Sequence, residues 1–161
     1  MTVMMTGATR RGGKTSPRTP FAYKALYRAT PLDRIEMVKI GVSAVDAKRL
    51  IGSLAYDQAF WFEALNLKTA TVNRKASANQ ALSPEDGERV IGLAKLIGQV
   101  EAMVEDSGGD TKFDVASWLA AWLREPLPAL GGVRPIHLLD TMEGQALVAQ
   151  MLTQVESGAY A

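Results

Sequence analysis

The sequence predicts an all-α protein: a helix-turn-helix-like bundle, then a second helical domain, with a flexible basic arm in front. Three observations predict this. From Leu32 onward apolar residues recur at helical spacing, and no apolar–polar alternation persists beyond a few residues. Segment starts carry Ser, Thr or Asp followed by Pro or an acid, the pattern that satisfies the free N–H groups of a helix's first turn. The one Asp-Gly pair, Asp86-Gly87, lies inside a helical pattern with no alternating strands beside it.

Residues 1–20 are Gly, Thr, Ser, Arg and Pro with few large apolar side chains, too little to offset the entropy of ordering. Ser43-Ala44-Val45-Asp46 resembles a capping box and opens a helix with Ala47, Leu50, Ile51 and Leu54 inward. Ser83-Pro84-Glu85-Asp86 is a stronger start: Ser83 caps, Pro84 has no N–H to leave unsatisfied, and the two acids face the positive end of the helix dipole. That helix should run to about Asp106 on the stripe Val90, Leu93, Ala94, Ile97, Val100 and Val104, ending at Ser107-Gly108-Gly109. Thr111–Asp114 should cap the next, whose face is Val115, Trp118, Leu119, Trp122 and Leu123. Pro126, Pro128 and Gly131-Gly132 stop it. After a short turn from Pro135 to Leu139, Asp140–Glu143 should cap the last helix, with Leu147, Val148, Met151, Leu152 and Val155 as its stripe and Ser157-Gly158 as its end.

Charge divides the chain. The net charge is only +1, from 18 Lys and Arg against 17 Asp and Glu. Residues 1–30 hold six basic residues and no acid, residues 31–80 seven basic and five acidic, and residues 81–161 five basic and twelve acidic. The halves therefore carry +8 and −7, which points to different partners for each. Cysteine is absent and His137 is the only histidine, so a disulfide framework, a thiolate or two-histidine metal site and a cysteine nucleophile are excluded. No apolar run approaches the roughly 18 residues of a membrane span, and the N-terminus lacks the apolar core of a signal peptide. The expected compartment is the cytoplasm.

Few motifs carry chemistry. Ala8–Thr15 looks like a phosphate-binding loop without its first glycine, but no strand precedes it and no helix follows, so it reads as part of the basic arm. Residues 57–76 have the layout of a helix-turn-helix: a short helix with Gln58, Ala59, Phe62 and Leu65, then Asn66 as a left-handed turn residue, then a second helix from Thr69. Its exposed side chains would be Thr69, Thr71, Asn73, Arg74 and Lys75, with Val72 inward. Arg and Asn suit guanine and adenine edges, and Lys and Thr suit phosphates. The same spacing occurs in purely structural bundles; the basic charge of this half brings the two readings level. Trp118 and Trp122 read as core, and the carboxylate pairs at helix ends as dipole partners or solvated termini. No nucleophile, base and orienter come together, so no enzyme, cofactor or metal is expected.

The C-terminal segment resembles a known family. The run Trp122–Gly132, then Arg134-Pro135-Ile136, Leu138-Leu139-Asp140-Thr141, Glu143-Gly144 and the ending Val155–Ala161, is similar to the toxin-binding domain of Xre/MbcA/ParS-type antitoxins, which partner RES-domain toxins. The match covers about Leu82 to Ala161, and Leu65–Leu96 looks like the family's link from an Xre helix-turn-helix. Two residues depart from the pattern: Lys68 stands where the recognition helix usually has a Ser or Thr cap, and His137 replaces a residue that is commonly acidic or aromatic.

The basic arm, over 1–30, lies outside the match; behind it the resemblance implies a DNA-binding domain over 31–81 and a toxin-binding domain over 82–161. It implies a non-enzymatic antitoxin whose last helix and tail block the NAD pocket of a toxin that degrades NAD or transfers ADP-ribose. The residues so assigned are Gln150, Gln154, Glu156, Ser157, Gly158, Ala159, Tyr160 and Ala161, with Arg134 in support; Lys68, Thr69, Thr71, Asn73, Arg74 and Lys75 are assigned to operator DNA. A homodimer is expected, because operators and their readers share two-fold symmetry. The alternative is a DNA-binding repressor with no toxin partner.

Overall fold

The computed structural model describes residues 21–110 and 112–158. Among these residues eight α-helices follow one another: α1 (Tyr23–Arg28), α2 (Pro31–Ile40), α3 (Ala44–Gly52), α4 (Gln58–Ala64), α5 (Thr69–Ser77), α6 (Pro84–Asp106), α7 (Val115–Leu123) and α8 (Met142–Glu156). Two 3-10 turns, Pro128–Leu130 and Pro135–Leu138, lie between α7 and α8. Among the described residues there is no strand, only an isolated antiparallel bridge between Ser43 and Ala81.

Helix α6 is the axis. At about 1.5 Å per residue its 23 residues span roughly 35 Å, and α1, α2, α7 and α8 all pack on it. Twelve of those residues are buried, because the stripe expected on one face is widened by Ile91, Leu96 and the small residues Gly87, Gly92 and Gly98. One hydrophobic cluster runs from Leu26 to Leu152, with Leu50, Trp61, Phe62 and Leu65 at the N-terminal end and Leu119, Leu123, Leu139 and Leu152 at the other. Burying each such side chain contributes about 1.5–3 kcal/mol. The stretch on either side of the expected 81/82 boundary is itself tied down: Ala44 N–H donates to Gln80 O and Leu82 N–H to Val42 O.

The start of α6 is as expected, Ser83 Oγ accepting from Asp86 N–H at 3.2 Å. Two other caps shift along the chain. Asp114, not Thr111, caps α7, accepting from the Ser117 N–H and hydroxyl, and these bonds hold its carboxyl below the usual carboxylate range. Thr141, not Asp140, caps α8 by accepting from Gly144 N–H at 3.0 Å.

The larger correction concerns the basic segment. Residues 21–30, expected within a flexible arm, contain α1, which buries Leu26 and packs Phe21 and Tyr23 against the core. The helix fits because Gly98 leaves a notch for its backbone. Residues 1–20 lie outside the described residues. Two of the segment's six basic residues are paired with the acidic end of α6: Lys24 with Glu105, and Arg28 with Glu105 and Asp106 at 3.8 Å each. Acids at a helix C-terminus oppose its dipole, and these cations offset that; Lys24 lowers the Glu105 carboxyl. Part of the +8 is thus matched to the −7 inside the molecule.

Candidate functional site

Asp57 caps α4, accepting from Phe60 N–H at 2.9 Å. The chain then turns through Asn66, whose φ of 52° is the left-handed conformation expected of it. Leu65 and Leu67 are buried under the turn, and Leu67 N–H closes it on Phe62 O at 2.8 Å. The turn is also held from outside: Arg89 of α6 donates to Leu65 O at 2.7 Å and to Asn66 O at 3.3 Å while paired with Asp86. Arg89 is a positioning residue that the sequence alone does not reveal, since the two carbonyls it holds lie more than twenty residues away.

On α5, Val72 is buried and anchors the helix, as expected. Lys68, Thr69, Asn73 and Arg74 are exposed. Thr71 and Lys75, expected to be exposed with them, are half-buried; at 100° per residue they fall together on the flank of the helix rather than its outer face. The outer face is completed by Ala70 and Ser77. Lys68 occupies the N-cap without a side-chain hydrogen bond, so the first-turn N–H groups of α5 keep no cap.

Helix α8 is fixed at both ends. Gly144 lets its first turn press on Leu138 O. Further along, the buried Gln99 of α6 donates to Ala149 O at 2.9 Å and Thr153 Oγ1 at 3.2 Å. Of the residues expected to meet a toxin, Gln150, Glu156, Ser157 and Gly158 are exposed and Gln154 is half-buried. Ala159, Tyr160 and Ala161 lie outside the described residues. Arg134 is exposed at the start of the turn that meets α8 at its first turn, whereas Gln150, Gln154 and Glu156 lie on its last two turns and Ser157 and Gly158 just past its end. Leu147, expected in the buried stripe, is instead exposed: the buried face is turned toward Gly144, Gln145, Val148, Met151 and Leu152, and Met142, Ala146 and Leu147 lie outward in line with Gln150, leaving Glu143 as the only charge on the first three turns of that face. Beside the helix end, an apolar recess of about 210 Å³ is lined by Met103, Phe113, Trp118 and Val155.

The two ends of the molecule touch directly. Arg124, just after α7, lies 4.3 Å from the ring centre of Tyr56 and 5.7 Å from that of Phe60. His137 and Asp140 face Glu63 of α4 across a small cleft. No group of three or more His, Cys, Asp or Glu placed to hold a metal occurs among the described residues, and none of their helices is long and apolar enough to cross a membrane.

Comparison with known proteins bears on both ends. Residues 33–95 match the antitoxin Xre-like helix-turn-helix domain, and residues 99–158 match the antitoxin Xre/MbcA/ParS C-terminal toxin-binding domain. The two matches meet inside α6. A protein of Sphingobium sp. (strain YBL2) described as a Prs ADP-ribosylating antitoxin is 62% identical over 161 residues, the whole of both chains. Antitoxin Xre of Yersinia enterocolitica serotype O:8 / biotype 1B (strain NCTC 13174 / 8081) is 24% identical over 128 residues, 78% of this chain and 80% of the relative. The helix-turn-helix with its turn latched to α6 lies in the first match and the capped last helix in the second, and the chain belongs to the Xre/MbcA/ParS family of toxin–antitoxin system antitoxins.

Proposed function

We propose that this antitoxin neutralises a RES-domain toxin that consumes NAD or transfers its ADP-ribose, by covering the toxin's NAD pocket with the outer face and end of α8. The description of the Sphingobium relative as a Prs ADP-ribosylating antitoxin supports this chemistry. The observation that carries the reading is the outer face of α8, where Met142, Ala146, Leu147 and Gln150 leave a surface of low desolvation cost next to the chain end. The acidic second half suits a basic dinucleotide pocket. The antitoxin supplies no cofactor and no catalytic group; its action is steric, in the cytoplasm.

Deleting Ala159–Ala161, or Tyr160→Asp, is expected to weaken neutralisation while leaving thermal stability unchanged. Leu147→Asp should lower toxin affinity by about tenfold or more. Co-expression with the toxin and a binding isotherm check both. Unchanged survival with the truncated chain would remove the tail from the mechanism, and unchanged affinity for Leu147→Asp would remove the helix face.

Operator binding by α5, with autoregulation, is the second part of the proposal, and the active form is a homodimer reading a two-fold operator. Thr69, Asn73 and Arg74 stand on the outer face, and the uncapped first turn offers N–H groups to a phosphate. Arg74→Ala and Asn73→Ala should each cost about 1–3 kcal/mol of operator affinity. Lys75→Ala, on the half-buried flank, should act mainly by reducing the salt dependence. Gel-shift titrations over a salt series test this; binding untouched by Arg74→Ala would displace α5 as the reading helix. Operator binding combined with no affinity for the toxin would favour the repressor without a toxin partner.

A further inference from the structure

Helix α2 differs from the other long helices. Its start is fully specified: Thr30 and Asp33 form a reciprocal capping box, and Pro31 takes the first position. Arg34 ties it to α1 by donating to the carbonyls of Leu26, Tyr27 and Ala29. Yet none of its ten residues is buried. Leu32 and Ile40 are 76% and 78% exposed, and Ile35 is about half exposed. A helix this short is not stable in water by itself, and its own chain covers only the edge formed by Arg34 and Val38.

At 100° per residue, Leu32, Glu36 and Ile40 form one outward row, flanked by Ile35 and Lys39. Beside the row runs an open groove of about 560 Å³ between α2 and α6, walled by Ile35, Val38, Ile91 and Met142. Lys39 and Lys95 stand in it. Lys95 is half-buried, and burial, then the nearby Arg34, holds its ammonium below the ordinary lysine range. Among the described residues, neither lysine nor Glu36 belongs to an ion pair.

We propose that a second copy of this chain docks here, α2 against α2 about a two-fold axis, the Leu32–Glu36–Ile40 row of each copy lying in the α2–α6 groove of the other. Charge complementarity selects this occupant. The face carries both signs, and in a two-fold interface every contact occurs twice. An antiparallel crossing that sets Glu36 of each copy against Lys39 of the other, with Lys95 close by, also sets Ile35 against Ile40 in both directions. A face of one sign would repel its own copy; in this groove Lys39, Lys95 and Arg34 outnumber the one acid, Glu88, and Glu36 of the copy supplies a second. The inference rests on the homodimer reading above and names its surface.

Light scattering of the full chain at tens of micromolar tests it. The unaltered protein is expected at twice the chain mass, and Ile40→Glu or Leu32→Glu at the single-chain mass. Both positions are exposed within one copy, so far-ultraviolet circular dichroism should not change. Glu36→Lys and Lys39→Glu should each weaken self-association about tenfold, and mixing the two variants should restore dimers, because every crossed contact is then opposite in sign. If the unaltered chain and Ile40→Glu are both dimeric, the dimer stands and α2 is not its surface. If the unaltered chain is a single copy, the homodimer reading fails together with this one. Failure of the crossed pair to re-form dimers would overturn the proposed register.

Discussion

Gly98→Ala is expected to destabilise the protein by about 3 kcal/mol or more and to release α1 from α6. Helix propensity argues the other way, since alanine inside a helix is favoured over glycine by about 1 kcal/mol. The site decides between them. A Cβ at Gly98 would overlap the Tyr23 carbonyl oxygen and sit 2.9 Å from Lys24 N. These are backbone atoms, so no rotamer change relieves the contact; α1 must move as a body. Moving it uncovers Leu26 and Ile97 and separates Lys24 and Arg28 from the acidic end of α6. For a chain of this length the melting temperature should fall by roughly 6–12 °C, and limited proteolysis should newly cut within residues 21–30. Gly108→Ala is the control: Gly108 has φ +68° and open space around it, so it carries only the modest cost of a left-handed alanine. A melting temperature for Gly98→Ala equal to or above that of the unaltered chain would show that α1 does not depend on the notch.

The same notch explains what could and could not be read from the sequence. Helices α6 and α8 were legible because each carries a periodic apolar stripe and local stop signals, α5 because the short helix and turn before it lay it out with Val72 inward, and Asn66 because the requirement of a turn residue is local. Helix α1 was not. Its own signal is Phe21, Tyr23 and Leu26 amid basic residues, and the feature that holds it is a glycine more than seventy residues downstream. Arg89 escaped for the same reason: what makes it more than a surface cation is its pair of carbonyl acceptors in the helix-turn-helix turn. The cap shifts have a local cause. Around residues 110–114 and 140–143 several oxygen-bearing residues compete, and the backbone selects one. Thr141 wins at α8 because Gly144, which its hydroxyl caps, is also the residue that can approach Leu138 O. The candidate DNA residues divide by a rotation about the helix axis that composition cannot fix: Thr71 and Lys75 lie on the flank, and Asn73 and Arg74 face outward. The charge split loses part of its meaning as a sign of two partners, because Lys24 and Arg28 answer acids of the other half directly.

Gly92→Ala and Gln145→Ala are each expected to destabilise the protein by about 2–3 kcal/mol, yet the double variant should lose less than the sum by at least about 1 kcal/mol. Gln145 of α8 is buried, and its Nε2 donates to Arg89 O at 3.1 Å and Leu139 O at 2.9 Å. With both N–H groups engaged, the amide is fixed, and its Oε1 occupies the place where Gly92 would carry a Cβ. Among the described residues that oxygen has no hydrogen-bond partner. An alanine at 92 therefore forces the amide away from both carbonyls, and the clash outweighs the propensity gain of about 1 kcal/mol. Removing the amide alone leaves Leu139 O without its donor and opens a void against the glycine. Making both changes removes the unpartnered oxygen and lets the new methyl fill part of the void. The consequence extends beyond stability, because Gln145 joins α6, at the residue whose side chain latches the helix-turn-helix turn, to the turn that leads into α8. In Gln145→Ala both operator binding and toxin neutralisation should weaken together, whereas Arg74→Ala should affect only the first and Leu147→Asp only the second. Urea denaturation of the four chains supplies the cycle. Additivity within about 0.5 kcal/mol would mean that Gly92 and Gln145 act independently and that the amide is not what holds the two halves in register.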